Sequence, residues 1–257
     1  MQNNIFLTLF VGQNLVKLQE IDSTNSYLKK LLSNSKPLIE GTVIMAENQT
    51  EGRGQSDNKW LSESGKNLTL SIYLKPSFLS VNEQFELNKA ISLGVTDCLA
   101  PLLGDNCCVK WPNDIYYHDK KLGGILIENT TKGYQLKDSV VGIGLNVNQK
   151  SFGELENRAT SITKILHQDY DLQNLLMQLC QSIESRYLQL KAGKNDLLNQ
   201  DYEKKLFRLN EQHSFEINQN LIQGIIRGVS PLGRLCLELD HKILELDLKE
   251  VKFKFEN

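Results

Sequence analysis

Beyond about residue 209 the sequence changes texture in a way that few folds can absorb. Five short apolar runs, at 213–217, 221–229, 235–239, 243–246 and 251–255, succeed one another with turn-forming residues between them. The breaks are Asn218-Gln219-Asn220, Ser230-Pro231-Leu232-Gly233 and Asp240-His241. Runs this short cannot make a stable helix, and as strands they bury their apolar faces only by pairing with one another. They therefore predict a small β-barrel over 209–257. Residues 1–208 must then build a core of their own, and 257 residues suit a large domain with a small companion.

That first span mixes helical and strand patterns. Residues 1–12 are largely apolar, lack a basic leading segment and are interrupted by Gln13 and Asn14. This is a poor signal peptide and too short a membrane span, and a buried strand is expected. Asp22-Ser23-Thr24-Asn25 before Tyr27, Leu28, Leu31 and Leu32 predicts a capped amphipathic helix. Residues 41–46 read as a buried strand, 47–65 as a polar loop, and 68–74 as a strand alternating apolar and polar. Ser80-Val81-Asn82-Glu83 is a capping-box pattern opening a helix with Phe85, Ala90, Ile91, Val95 and Leu102. Residues 107–147 are strand-like between turns. Leu172, Leu175, Leu176, Leu179, Ile183 and Leu190 then form a helical stripe. Strands and helices do not alternate strictly, so the class is α+β.

Composition closes some routes. The net charge of −2, with both signs interspersed, gives no general attraction to nucleic acid or an acidic membrane. The cysteines at 98, 107, 108, 180 and 236 include no C-x-x-C pair and are expected to be reduced, mostly buried thiols of a cytoplasmic protein. His118, His167, His213 and His241 lack metal-ligand spacing, so a histidine metal site is not expected.

Three segments are too rich in Gly, Asn, Asp and Lys to serve packing alone. In Glu51-Gly52-Arg53-Gly54-Gln55-Ser56-Asp57-Asn58-Lys59-Trp60, glycines open the backbone to an anion and Arg53 can fork onto a carboxylate or phosphate. A surface loop fits the same residues. The segment is neither a Walker A loop nor a dinucleotide fingerprint. In the second, Lys110-Trp111-Pro112-Asn113-Asp114 is followed by Lys121-Leu122-Gly123-Gly124-Ile125-Leu126-Ile127-Glu128. Lys110 follows an apolar strand and can hold its ammonium near a pocket; Pro112-Asn113-Asp114 is equally a turn, and Gly123-Gly124 equally a bulge. The third is Gly142-Ile143-Gly144-Leu145-Asn146-Val147-Asn148, whose alternating glycines weaken a strand unless something must approach its backbone.

Taken in order, with Ser23-Thr24-Asn25, these segments resemble the biotin–protein ligase family over nearly the whole chain, Lys-Trp-Pro-Asn-Asp followed by Lys-Leu-Gly-Gly being the specific part. The resemblance implies a mixed-sheet catalytic domain of the class II aminoacyl-tRNA-synthetase-like, biotin/lipoate-ligase type and a C-terminal SH3-like barrel. It implies an ATP-dependent, AMP-forming enzyme that makes biotinyl-adenylate and passes biotin to a lysine of a biotin carboxyl carrier domain, with biotin, ATP and Mg²⁺ as substrates and cofactor. Lys110 and Arg53 would be catalytic. Biotin would meet Ser23, Thr24, Asn25, Gln49, Gly52, Arg53, Lys110, Gly123 and Gly124. ATP or the adenylate would meet Gly54, Gln55, Trp60, Asn113, Lys121 and Asn146, with Trp60 equally readable as a core aromatic. Lys254 is a further contact from the barrel, which is equally readable as a structural cap.

The chain departs from that pattern at Gln55, where relatives often carry Arg, and at Asp57, where Gly is common. Fewer cations should hold the adenylate less firmly. Roughly 20 residues precede the cap at Asp22, too few for a helix-turn-helix unit, so a catalytic-only form without DNA binding is expected, as monomer or homodimer. A lipoate–protein ligase would carry an Arg-rich Gly-Gly-Gly motif, which is missing. A non-catalytic biotin-binding module would have no need of both Lys110 and Arg53.

Overall fold

The computed structural model describes residues 7–34, 37–55 and 58–255. In chain order the first span forms β1 (Leu15–Ile21), α1 (Thr24–Leu32), β2 (Val43–Gln49), β3 (Leu68–Leu74), α2 (Gln84–Leu103), β4 (Cys107–Lys110), β5 (Asp114–Tyr117), β6 (Lys120–Lys132), β7 (Gln135–Leu145), α3 (Ile162–Leu166), α4 (Leu172–Lys191) and α5 (Asn195–Lys205). Its seven strands make one sheet in the order β1-β2-β3-β7-β6-β5-β4. Only the β1–β2 pair is parallel, which fits a mixed α+β sheet rather than a doubly wound one.

The sheet's two faces have different duties. Val43, Leu70, Ile72, Val141, Ile143 and Ile125 join the main core with residues of α2, α4 and α5. On the opposite face Ile44, Tyr73 and Val140 pack with Leu28 of α1 in a smaller cluster. Sandwiching explains why all of β3 is buried although its sequence alternates: the polar positions Thr69 and Ser71 lie beneath α1 and the cleft rather than in water.

The strand expected over 1–12 is not formed in its described part. Residues 7–10 are bends, 11–13 a turn, and the first strand starts at Leu15. The reason lies in α4. Glu184, 5% exposed, accepts from Leu9 N (2.7 Å), Phe10 N (2.7 Å) and Val11 N (2.9 Å), so these groups are satisfied without a neighbouring strand. Gly12, at φ 85°, then turns the chain into β1. Residues 1–6 of that expectation lie outside the described residues. The capping box forms, with Ser80 N and Oγ both bonded to Glu83 Oε2, but its first turn is 3₁₀ and α2 begins at Gln84.

The C-terminal runs form β8 (Gln212–Ile217), β9 (Asn220–Val229), β10 (Leu235–Leu239), β11 (Lys242–Leu246) and β12 (Val251–Phe253). They make a separate antiparallel sheet in the order β11-β10-β9-β8-β12. It docks on the first span through the β9–β10 turn: Trp111 Nε1 donates to Gly233 O at 2.9 Å, and Gly233 lies against the Phe85 ring. No helix among the described residues is long and apolar enough to cross a membrane. Cys98, Cys107 and Cys180 are buried free thiols.

Candidate active site

On the α1 face, cross-strand register strips side chains from the middle of the sheet. Ser71, Gly142 and Leu126 lie in one row across β3, β7 and β6, and Thr69, Gly144 and Gly124 in the next. The groups that approach the bare backbone belong to the protein itself. A Cβ on Gly142 would stand 2.4 Å from Asn25 Oδ1, and one on Gly144 would stand 2.3 Å from the Trp60 ring. The two glycines therefore seat Asn25 from α1 and Trp60 from the glycine loop. A cleft of about 860 Å³ opens over this floor.

One end of the cleft is neutral and polar. Thr24 N (2.8 Å) and Thr24 Oγ1 (3.1 Å) both reach Gln49 Oε1, leaving Gln49 Nε2 as a donor for the cleft wall. Ser71 Oγ is 2.7 Å from Thr24 Oγ1 and 2.6 Å from Asn25 Oδ1. Ser23 stands at the N-cap of α1, yet its hydroxyl makes no capping bond and is left for the cleft. A few fixed donors beside apolar Leu126 suit a small, mostly apolar ligand with a polar end.

The rest of the cleft is strongly cationic, against the chain's slight net negative charge. Arg53, Lys59, Lys110, Lys121, Arg158, Lys249 and Lys252 line it, and Asp114 is the one carboxylate among the described lining residues. Asp114 Oδ1 pairs with Lys121 Nζ at 2.6 Å, and that ammonium lies 5.8 Å from the Trp60 ring centroid. Lys110 ends β4 opposite Asp114 and has no hydrogen bond or ion pair among the described residues. Its ammonium sits 4.5 Å from the centroid of Phe253, in β12, and 5.5 Å from that of Tyr116. Burial lowers its pKa; Asp114 pulls upward, Lys121 and Arg208 push further down, and the net result is below the ordinary lysine value. An unpaired ammonium in a partly desolvated cleft is a strong electrostatic partner for an incoming anion.

The glycine loop is a small hairpin. Gly54 N donates to Asn58 O (2.8 Å) and Trp60 N to Gly52 O (2.9 Å). Arg53 lines the cleft while both terminal nitrogens of its guanidinium bond the Glu128 carboxylate, at 3.0 and 3.2 Å. Glu128 also accepts from Lys29 Nζ (3.0 Å) and Asn25 Nδ2 (2.9 Å). Burial raises the Glu128 pKa, but the bonds from Lys29 and Asn25 and the charge of Arg53 prevail and hold it below the usual glutamate value.

Of the sequence-read residues, Ser23, Thr24, Asn25, Gln49, Arg53, Gly54, Gln55, Trp60, Lys110, Asn113, Lys121 and Gly124 converge on this cleft. Gly52, Gly123 and Asn146 do not line it. A Cβ on Gly52 would meet Trp60 O at 2.4 Å and one on Gly123 would meet Gly144 O at 2.8 Å, so both glycines serve close packing. Asn146 is buried, with Nδ2 donating to Thr160 O at 3.0 Å. Lys254 and Lys252 both pair with Glu216; of the two, only Lys252 lines the cleft. Asn113 Nδ2 donates to Ile125 O, tying the turn after the cis Trp111–Pro112 bond to β6. Trp60 Nε1 is buried without a partner. Sequence reasoning assigns no role to Ser71, Glu128, Arg158 or Phe253. Glu128, a charge at the end of an apolar run and on the same strand face as Gly124 and Leu126, carries a readable signal, whereas Phe253 carries none.

This fold and cleft define a family. Residues 17–146 match the biotin/lipoate A/B protein ligase family, and the chain belongs to it. Among curated proteins it is 31% identical over 183 residues to the bifunctional ligase/repressor BirA of Bacillus spizizenii, covering 70% of this chain and 55% of that protein. It is 29% identical to the biotin–[acetyl-CoA-carboxylase] ligase of Mycobacterium tuberculosis, covering 93% of this chain and 90% of that one. Among solved structures, the biotin protein ligase of Aquifex aeolicus in complex with biotin and ATP superposes with a TM-score of 0.80 at 28% identity, over 95% of this chain and 100% of the other. The chain thus spans little more than half the length of the first of these relatives.

Proposed function

We propose that this chain is an ATP-dependent ligase that converts biotin to biotinyl-adenylate and transfers biotin to a lysine of a biotin carboxyl carrier domain. The observation that carries the reading is the unpaired Lys110 ammonium, in one cleft with the neutral donors and the other cations. Ser23, Thr24 and Gln49 hydrogen-bond the ureido ring, and the bicycle lies against Leu126, beside the Asn25 and Trp60 side chains that cover the glycine floor. The acid's carboxylate then points toward Arg53 and Lys110, and the nucleotide phosphates lie among Lys110, Lys121 and Arg158. Gln55 and Gly54 sit over the adenylate.

A carboxylate oxygen attacks the α-phosphorus and pyrophosphate leaves. Lys110 neutralises charge that grows at the α-phosphate as this occurs, in a site that discounts solvent screening. In the second step the neutral amine of the carrier lysine attacks the acyl carbon, AMP leaves with the bonding electrons, and the amine sheds a proton. Lys110 again stands by the departing phosphate. Mg²⁺ supplies charge neutralisation at the phosphates when bound. Among the described residues no three His, Cys, Asp or Glu side chains are placed to hold a metal ion together, and Asp114 is the carboxylate among the cleft's described lining residues. That donor set fits a cation held chiefly by nucleotide oxygens and water.

The test is ATP–pyrophosphate exchange with purified protein and Mg²⁺, using biotin, lipoate, octanoate or no acid. Exchange with biotin alone is expected. Exchange with lipoate or octanoate instead would move the chain to the other branch of its family, and no exchange with any acid would overturn the enzymatic reading.

A further inference from the structure

Residues 206–210 join the two sheets and are stitched to both. Leu206 bridges Val109 of β4, and Phe207 N donates to Val109 O at 3.0 Å, one residue before Lys110. Leu209 then bridges Ile226 of β9, and Asn210 N donates to Ile226 O at 2.9 Å. Between these pairings stands Arg208 at φ 60°, a region that is costly for any residue with a Cβ. Glycine would sit there more easily, so what the arginine contributes comes from its side chain. That side chain is 8% exposed, and its guanidinium carbon lies 4.8 Å from the Phe207 ring centroid and 4.7 Å from that of Phe255. One terminal nitrogen donates to Lys254 O at 2.9 Å, just past β12. The other donates to Asp119 Oδ1 at 3.1 Å, in the turn between β5 and β6. A single guanidinium thus joins the end of the C-terminal sheet to the catalytic sheet.

The gripped segment is the one that completes the cleft. Lys254 N donates to Ser214 O at 3.0 Å, continuing the β12–β8 pairing, and Phe253 lies 4.5 Å from the Lys110 ammonium while Lys252 lines the cleft. Arg208 itself is not among the cleft's described lining residues. From this geometry we infer that Arg208 is a positioning residue: by gripping Lys254 and Asp119 together it holds Phe253 and Lys252 in place beside Lys110. The neutral donor end of the cleft rests on α1, β2 and β3 and does not depend on this grip. The consequence for the nucleotide step rests on the ligase reading. The grip does not.

The two can be tested apart. Amide hydrogen exchange of the substrate-free full-length protein, read by mass spectrometry, reports opening of 251–255 without any assay of activity. The internal control is 225–239, which docks separately through Trp111 and Gly233. Arg208→Gln is expected to speed hydrogen exchange at 251–255 roughly tenfold, the loss of one charge-assisted bond, and to leave 225–239 unchanged. Arg208→Gly, which also relaxes the positive φ, is expected to give the same local pattern. Unchanged rates at 251–255 in both variants would overturn the grip, and faster rates throughout the chain would overturn it in favour of a general stabilising role. In pyrophosphate exchange, Arg208→Gln should lower kcat/KM for ATP by about tenfold and keep the KM for biotin within about twofold of wild type. An equal change for both substrates would overturn the positioning role. Arg208→Lys keeps the charge without the two-pronged grip and should show both defects; recovery of the ATP step while 251–255 still opens would mean that Arg208 acts only as a charge. Absence of biotin-dependent pyrophosphate exchange in the wild type would overturn the ligase reading and leave the hydrogen-exchange result standing.

Discussion

Replacing Lys110 with Met separates the electrostatics of this cleft from its packing. Methionine keeps an unbranched stem between the rings of Phe253 and Tyr116 and removes the charge. The loss is up to two cation–π contacts, ~0.5–2 kcal/mol each, partly replaced by sulfur–aromatic contacts of ~0.3–1.5 kcal/mol. The gain is relief from holding an ammonium partly away from water, its nearby carboxylate Asp114 being already paired with Lys121. The direction of the Lys110 pKa gives the size order of the other terms: burial and the nearby cations Lys121 and Arg208 outweigh Asp114 and disfavour the charged form. Removing the charge should stabilise the substrate-free protein by on the order of 1 kcal/mol. For a chain of this size that raises the melting temperature by roughly 2–4 °C. The same change should cut biotin-dependent pyrophosphate exchange by about a hundred- to a thousandfold, the cost of deleting one preorganised partner of developing charge. Differential scanning calorimetry and the exchange assay on one preparation check both. A clear fall in melting temperature, or exchange within tenfold of wild type, would refute the view of Lys110 as an unpaired, functionally reserved cation.

Exchange should weaken on its alkaline side at lower pH than a free lysine would dictate, because the lowered pKa releases the Lys110 proton early. Over the same window its contribution to substrate-free stability should rise with pH, since the unfolded chain binds the extra proton; melting curves at several pH values check this sign, and parallel trends would refute it. Gln55→Arg should slow release of biotinyl-adenylate by adding a cation over it; a release rate identical to wild type in a rapid-filtration assay would remove the idea. Phe253→Leu should lower exchange by about fivefold while Phe253→Tyr retains it, the loss of one ring beneath Lys110 being worth about 1 kcal/mol; equal activity of the two would make the C-terminal sheet's role purely structural. Gly144→Ala should cost roughly 1–3 kcal/mol and shift Trp60 fluorescence, because the new Cβ would meet the indole at 2.3 Å; an unperturbed emission spectrum would contradict that seating.

Local chemistry made much of this legible in the sequence. The five C-terminal strands stand where their turns place them, within a residue or two, because Asn218, Gln219, Asp240 and His241 adopt the positive φ such tight turns require. The stripe at 172–190 is α4, and the run of glycines at 142 and 144 does admit close approach to the backbone. Reading β1 and α5 failed for the opposite reason. Leu15–Ile21 carries Lys17, Gln19 and Glu20 and becomes a strand by pairing in parallel with β2, a partner far along the chain. Helix α5 has weak amphipathicity and is held by Leu198 and Tyr202 in a core other elements supply.

Sequence alone thus determined the inventory: which residues could bind anions, which turns could close, and that a small unit of five short strands must succeed the larger one. Tertiary structure decided their use. It sent the apolar segment at 7–11 onto the carboxylate of Glu184 instead of into a sheet. It turned Gly52 and Gly123 toward packing and kept Asn146 for Thr160. It also brought Phe253 beneath Lys110 and Glu128 against Arg53, because charge pairing and ring contacts act through space between residues that no sequence spacing relates.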